Sequence, residues 1–176
     1  SGFEKIPFIM EHFKSFKLSH NYKGEMSETF INNELQRKNF KLHFLPLIKL
    51  DSRTRGTNPI KFEIQVKYTL DILNEGTTTE REYVNEINGK LEFSRSEGIS
   101  LPFFGELSNN ISFSLNIDWE NRYKLLSAQL VENLDDFNLQ SKKTTFSFKP
   151  NISYNFSKYV NGTVFYKYIL ENDLIN

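Results

Sequence analysis

A strict alternation of apolar and polar residues runs through "IKFEIQVKYTLDI", which spans residues 60–72. Every even-numbered residue in this stretch is apolar, and every odd-numbered residue is polar. Successive side chains of a β-strand point to opposite faces, whereas the same pattern would spread around all sides of a helix. The stretch therefore predicts a strand with one apolar face and one polar face.

The alternation recurs along the chain. It is present in residues 16–30, 83–93, 111–123, 144–156 and 160–170, and more weakly in 42–54. Polar, turn-prone segments separate these stretches, so neighbouring strands are expected to pair as an antiparallel meander. We predict an all-β fold of about seven long amphipathic strands in one unit over residues 1–176. The opening "EKIPFIMEHFKSF" is compatible with a short interfacial helix, and Pro150 predicts a bulge or strand end.

Strand length separates two architectures that both show alternation. The regular stretches cover 11 to 15 residues, whereas strands of globular proteins usually have about 5–6 and membrane-spanning strands about 9–11. The length favours a transmembrane β-barrel over a soluble β-sandwich with a Phe-rich core, and the sandwich remains the alternative. Seven strands are too few for a complete bacterial barrel. We therefore expect a section of a large transmembrane β-barrel that belongs to a longer chain.

This interpretation assigns residues to the two faces of the predicted strands. The candidates for contact with lipid are Phe62, Ile64, Val66, Phe113, Leu115 and Ile117. The candidates for the lumen are Lys61, Glu63, Gln65, Lys67, Asp118 and Glu120. Aromatic residues near the strand ends, such as Trp119 and Tyr154, fit the aromatic girdles found at the two membrane interfaces of outer-membrane barrels.

The composition limits the classes of partner. Lys plus Arg and Asp plus Glu each number 22, so the net charge is zero, which argues against a general affinity for nucleic acid. The chain has no Cys and therefore no disulfide or thiolate metal site. The mean hydropathy is −0.51, and no window reaches the ~18 apolar residues of a transmembrane helix. A transmembrane barrel also averages to a polar sequence, because its strands alternate.

No constellation of residues indicates catalysis. His12, His20 and His43 lack other ligands at metal-binding spacing, so structural roles are expected for them. Asp135 and Asp136 read as a solvated turn. The sequence places no partner for Glu106 or Asp118, and it contains no nucleophile elbow or phosphate-binding loop. We expect a protein that is not an enzyme and that has no cofactor.

Several motifs resemble one known family. The start of the chain, residues 2–30, resembles a stretch near the C-terminus of the SprA (Sov) proteins, through Gly2, Phe3, Glu4, Lys5, Ile6, Pro7, Phe16, Leu18, His20 and Tyr22. "FLPLIKLD" at residues 44–51 is similar to the strand "F-x-P-L-I-G-I-D" of that family, and "KPNISYNFSKYVNGTVFYKY" at 149–168 is similar to its penultimate hairpin. Lys49 departs from the family, which more often has Gly there. The family's closing strand would follow Asn176.

The resemblance implies a function as well as a fold. SprA proteins are outer-membrane translocons of the type IX secretion system and take part in gliding motility. The resemblance implies a wide barrel in the outer membrane of a Gram-negative bacterium that passes folded cargo proteins. It also implies a PorV-type partner barrel at a lateral opening and a plug protein on the periplasmic side. Another large outer-membrane barrel, of the lipopolysaccharide-assembly or receptor type, and a soluble β-sandwich binding module of a secreted protein remain the alternatives.

Overall fold

Nine strands form a single antiparallel sheet in the computed structural model, which describes residues 6–96, 99–101, 105–107, 109–128 and 137–175. The elements in chain order are α1 (Pro7–His12), β1 (Phe13–Ser19), β2 (Tyr22–Ile31), β3 (Glu34–Thr54), β4 (Ile60–Glu75), β5 (Thr78–Arg95), β6 (Ile99–Leu101), β7 (Gly105–Leu107), β8 (Ile111–Ser127), β9 (Asn138–Asn155), β10 (Asn161–Phe165) and β11 (Tyr168–Ile175). β6 and β7 pair only with each other. The predicted all-β antiparallel meander is confirmed.

Each of the seven alternating stretches lies in the large sheet, and the strands extend beyond at least one predicted end of each stretch. The five central strands, β3, β4, β5, β8 and β9, have between 16 and 21 residues each. The first and last stretches are each divided into two strands rather than one. β1 and β2 both pair with β3, and β10 and β11 both pair with β9. The sheet therefore has seven strand positions side by side, and each of the two outer positions is divided between two strands.

The gap in the last strand position, between β10 and β11, lies opposite Pro150. β9 itself passes through Pro150 without a change of register against β8, so the expectation of a bulge or strand end at that residue is wrong. The Pro150 carbonyl accepts a hydrogen bond from the Tyr166 N–H, at 3.1 Å. The nitrogen of Pro150 therefore also faces the position of β10 and β11. Because proline has no N–H to donate, ladder pairing is lost on that side, between Phe165 and Tyr168.

The gap in the first strand position, between β1 and β2, lies beside a bulge in β3. Residues 45–47 of β3 stand opposite the single residue Lys67 of β4. His20 and Asn21, between β1 and β2, bind the bulge from the other side. The His20 Nδ1–H donates to the Leu47 carbonyl at 2.6 Å, and the Asn21 side chain donates to the Leu45 carbonyl at 3.2 Å. The two side chains satisfy carbonyl groups that regular pairing would otherwise satisfy.

The two ends of the sheet differ in their connections. Asn32 and Asn33 join β2 to β3 as a two-residue turn with φ of 53° and 64°, the conformation that Asn tolerates well in tight hairpins. A two-residue turn at 76–77 joins β4 to β5 at the same end, which we call the tight-turn end. The opposite end, called the helix end, carries α1 and the connections 55–59 and 156–160.

The sheet has no hydrophobic core among the described residues. The buried residues of this part of the chain are small and polar: Ser52, Thr79, Ser127 and Ser147. Large apolar side chains are half-buried or exposed, and Ile64 in the middle of the sheet keeps 47% of its surface exposed. The described strands thus form a single layer rather than a two-layer sandwich.

No helix in the described ranges is long and apolar enough to cross a membrane.

Candidate functional site

The register of pairing places the six predicted lipid-facing residues on one face of the sheet. Directly paired residues of adjacent strands project to the same face. Ile64 pairs with Gly89, which pairs with Ile117, and the same relation links Phe62 to Leu115 and Val66 to Trp119. Phe113 joins them through Phe93 and Ile60. We call this side the apolar face, and its contact with lipid stays a prediction.

The middle of the apolar face is continuous across the whole sheet, from β1 to β11. The central row across the sheet consists of Leu18, Leu50, Ile64, Gly89, Ile117, Phe148 and Tyr168. Gly89 is the smallest member, and a Cβ there would lie 3.7 Å from the Ile117 carbonyl oxygen, which is ordinary contact. Exposed apolar side chains in a continuous patch are typical of an interaction surface, and the described part of the chain does not cover this one.

The apolar band ends at different rows on different strands at the tight-turn end. On β3 and β4 it reaches the paired residues Phe40 and Ile72, and Lys38 and Asn74 follow. On β5, β8 and β9 it ends three rows earlier, at the row that contains Val66, Ile87, Trp119 and Phe146. The next row on those strands is polar and contains Asn85, Asn121 and Thr144. The boundary therefore shifts by six residues across the sheet.

The opposite boundary shifts in the same direction. At the helix end the band stops on β3 at Leu50, where Ser52 follows. On β4 and β5 it reaches the paired residues Ile60 and Phe93. On β8 and β9 it reaches Ile111 and Tyr154, three rows beyond Leu50. The two boundaries are thus displaced together, and the band crosses the sheet obliquely.

The polar face holds all six predicted lumen-facing residues. Ion pairs link neighbouring strands across it: Lys67 Nζ lies 2.7 Å from Glu86, Lys49 Nζ lies 3.0 Å from Glu63, and Lys61 Nζ lies 3.7 Å from Glu92. Gln65 stands between Lys49 and Asn88 in the register. Such pairs keep a dense set of charges neutral, and at their degree of exposure each contributes little to stability.

Asp118 connects three strands on the polar face. It accepts hydrogen bonds from the Asn88 amide at 3.1 Å, the Ser147 hydroxyl at 2.9 Å and the Lys149 ammonium at 3.0 Å. These donors come from β5 and β9, the two neighbours of β8, so one carboxylate joins three strands. The sequence alone placed no partner for Asp118, because its donors lie about 30 residues away along the chain.

The other singled-out residues take structural positions. His43 Nε2 lies 2.9 Å from Asp71 across the β3–β4 pair, and Glu120 pairs with Arg122 on its own strand at 3.3 Å. His12 ends α1. Asp135 and Asp136 lie outside the described residues, as does the side chain of Glu106. No group of three potential metal ligands occurs in the described ranges.

The bulge in β3 is a feature that sequence reasoning missed. Its signal was Pro46 in the middle of an apolar run, "FLPLI", where a regular central strand would not place proline. The stacked rings of Tyr83 and Tyr123, with centroids 4.9 Å apart, were also not predicted as a pair. They lie on the apolar face, two rows beyond the band.

No protein-family model matches the chain, and a search of curated proteins found no similar protein.

The network at Asp118 predicts an effect on stability. Asp118→Ala removes three hydrogen-bond acceptor contacts, so the free energy of unfolding should fall by about 1–2 kcal/mol. Glu120→Ala removes one exposed ion pair on the same strand and should change it by less than about 0.5 kcal/mol. Urea unfolding of both variants in detergent micelles, followed by the fluorescence of Trp119, compares them directly. Equal losses would contradict the special role of Asp118.

Proposed function

We propose that this chain is a section of the wall of an outer-membrane β-barrel, with a structural and not a catalytic role. The apolar face contacts lipid, and the polar face lines a water-filled lumen. The observation that carries the proposal is the single layer of long strands, whose apolar band crosses the sheet obliquely. Membrane barrels satisfy their backbone groups through strand pairing, and β5 and β8 pair here without a break from Thr79 to Arg95.

The slope of the band supports the membrane interpretation. Its boundaries shift by six residues between β3 and β9, four strand spacings apart. At ~3.3 Å per residue and ~4.8 Å per strand, this is a shift of roughly 20 Å over roughly 19 Å, or about 45°. Strands of transmembrane barrels are tilted by about 35–45° from the membrane normal. A flat membrane would therefore contact such a band evenly along a tilted sheet.

The length of the band on each strand also fits a bilayer. On β8 and β9 the band covers nine residues, from Ile111 to Trp119 and from Phe146 to Tyr154. A membrane-spanning strand has about 9–11 residues in the hydrocarbon region. The strands themselves are longer, with 17 and 18 residues, so their ends reach into the interfaces.

The resemblance to the SprA family supports a narrower proposal. In this proposal the barrel is the protein-secretion channel of the type IX system, in the outer membrane of a Gram-negative bacterium. Its cargo is secreted protein, and its partners are a PorV-type barrel and a plug protein. The neutralised ion pairs of the polar face suit this role, because a hydrated wall without excess charge does not retain passing proteins of either sign.

The solubility of the chain tests the barrel proposal. The exposed apolar face should make the chain aggregate without detergent, and the chain should fold as a β-sheet when detergent or lipid is supplied. Size-exclusion chromatography and circular dichroism in both conditions measure this. A monomer that unfolds cooperatively in detergent-free buffer would contradict the proposal and favour a soluble binding module.

A pair of neighbouring substitutions tests the assignment of the faces. Ile64→Arg places a charge near the middle of the apolar band and should lower the free energy of unfolding in lipid vesicles by roughly 2–4 kcal/mol. Gln65→Arg places the same charge on the polar face and should change it by less than about 0.5 kcal/mol. Urea titration of both variants in vesicles is the measurement. Equal tolerance at the two positions would exclude lipid contact at Ile64.

Two residues of one row test the slope of the band. Leu70 on β4 lies inside the band, and Tyr123 on β8 lies outside it, although both pair with Tyr83 in the same row. The chain has no Cys, so Leu70→Cys and Tyr123→Cys each create one thiol. In vesicles a water-soluble maleimide should label position 123 at least about tenfold faster than position 70, because lipid excludes water and the thiolate from position 70. Equal rates would show that the band does not slope.

A further inference from the structure

A groove of about 390 Å³ lies on the polar face of the sheet, toward the helix end. Its polar lining comes from all five central strands. One row across the sheet supplies Arg53, Lys61, Glu92, Ser114 and Asn151, and the next row supplies Ser94, Ser112 and Ser153. The groove therefore crosses strands that are paired on both sides, away from the open edges of the sheet.

Small side chains create the groove. The adjoining row toward the middle of the sheet carries the long side chains of Lys90 and Lys149, whereas serines occupy the groove. Phe93 and Phe113 also line it. Register places both of them on the apolar face, so only their backbones reach a groove on the polar face. The surface offered to a ligand consists of hydroxyl, amide, backbone and charged groups.

The lining combines groups that only donate hydrogen bonds with groups that only accept them. Arg53 and Lys61 donate, and the Glu92 carboxylate accepts. Lys61 Nζ lies 3.7 Å from Glu92, whereas Arg53 forms no ion pair within the described part of the chain. Arg53 Nε and Asn151 Oδ1 are buried and have no hydrogen-bond partner in the described ranges. Because buried polar atoms are normally hydrogen-bonded, a donor on one side of the groove and an acceptor on the other are left for a ligand to satisfy.

This mixture of groups disfavours a simple ion as the ligand. A cation would be repelled by Arg53. An anion would lie beside the Glu92 carboxylate and would offer no donor to Asn151 Oδ1. A hydroxyl group, in contrast, donates and accepts at the same atom. A molecule with many hydroxyl groups can therefore bond to every part of the lining.

The groove also differs from the sites that recognise peptides. Peptides are bound at an unpaired strand edge, in an apolar groove or in an aromatic-lined groove. The strands beneath this groove are already paired, and its side chains on the polar face are polar or charged, with Pro59 as an addition from the connection before β4.

We propose that this groove binds a neutral oligosaccharide, which lies across the strands. Arg53 donates to a hydroxyl oxygen at one end, Asn151 accepts from a hydroxyl group at the other, and the serines bond to the sugars between them. Arg53 and Asn151 are four strand spacings apart, or roughly 19 Å, which suits several linked sugars. A second hollow of about 400 Å³ shares Arg53 and Ser112 with the groove and extends the polar lining.

The inference goes beyond the proposed function and depends on it in one respect. The barrel proposal makes the polar face a lumen, and the groove then forms a saccharide-binding stretch near one mouth of that lumen. Binding itself requires only the polar face of the folded sheet, so it can be measured separately from contact with lipid.

Saturation-transfer NMR tests the site. The full chain is folded in micelles of lauryldimethylamine oxide, a detergent without a sugar headgroup. A panel of linear, neutral tetrasaccharides of glucose, mannose, galactose or N-acetylglucosamine is added, together with a peptide rich in serine and asparagine as a separate sample. At least one saccharide should receive magnetisation from the protein, and the peptide should not.

Two variants should weaken this transfer. The Arg53→Ala, Asn151→Ala double variant removes hydrogen bonds at both ends of the groove and should lower the transfer at least about fivefold. Ser112→Leu fills the groove at an exposed position, so the sheet should still fold, and the transfer should fall as well. Circular dichroism verifies that each variant is folded.

A matched double variant controls for the loss of one arginine and one asparagine. Arg122→Ala, Asn39→Ala changes the polar face outside the groove and should leave the transfer unchanged. Transfer to no saccharide, transfer to the peptide alone, or equal transfer in both double variants would overturn the proposed site. If the labelling difference between positions 70 and 123 persists in that case, the barrel wall stands and only the groove fails. Saccharide binding without that labelling difference would leave the groove and contradict the slope of the band.

Discussion

The register of backbone pairing from β3 to β9 is the constraint on which the two faces depend. Side chains alternate between faces, so a slip of one residue would move every apolar side chain of a strand to the polar face. The bulge in β3 adds two residues, at 45–47 opposite Lys67, and an even number restores the same alternation beyond it. The one-residue shift between Lys124 and Leu125 lies outside the apolar band. Both irregularities therefore leave the band intact.

The absence of a hydrophobic core among the described residues follows from the same alternation. A single layer can bury its apolar face only against a medium or molecule outside the sheet. Strand pairing joins the backbones of the strands, and cross-strand contacts such as those of Asp118 and Lys67 join side chains of the polar face. These interactions make the layer coherent without providing the burial that stabilises a soluble domain. Lipid on one face and water on the other would complete it, in the architecture that we propose.

Sequence reasoning reached most of the fold but little of the fine structure. The stretches around Ile64 and Ile117 identified strands because their period-2 pattern is strong and local. The division of the first predicted strand into β1 and β2 at His20 and Asn21 was missed, because it depends on a bulge in a different strand. Pro150 was recognised as a disruption, but it disrupts the neighbouring strands β10 and β11 and not its own strand. The direction of the Pro150 nitrogen is set by pairing, which the sequence does not encode locally.

The sequence by itself determined the strand type, the two-faced character of each strand and the residues on each face, because these follow from local alternation. The tertiary structure decided which residues share a row, and so the slope of the apolar band and the three-strand contacts of Asp118. These features join residues that are distant in the chain. Their alignment depends on register, turns and bulges acting together, and no single segment of the sequence specifies that alignment.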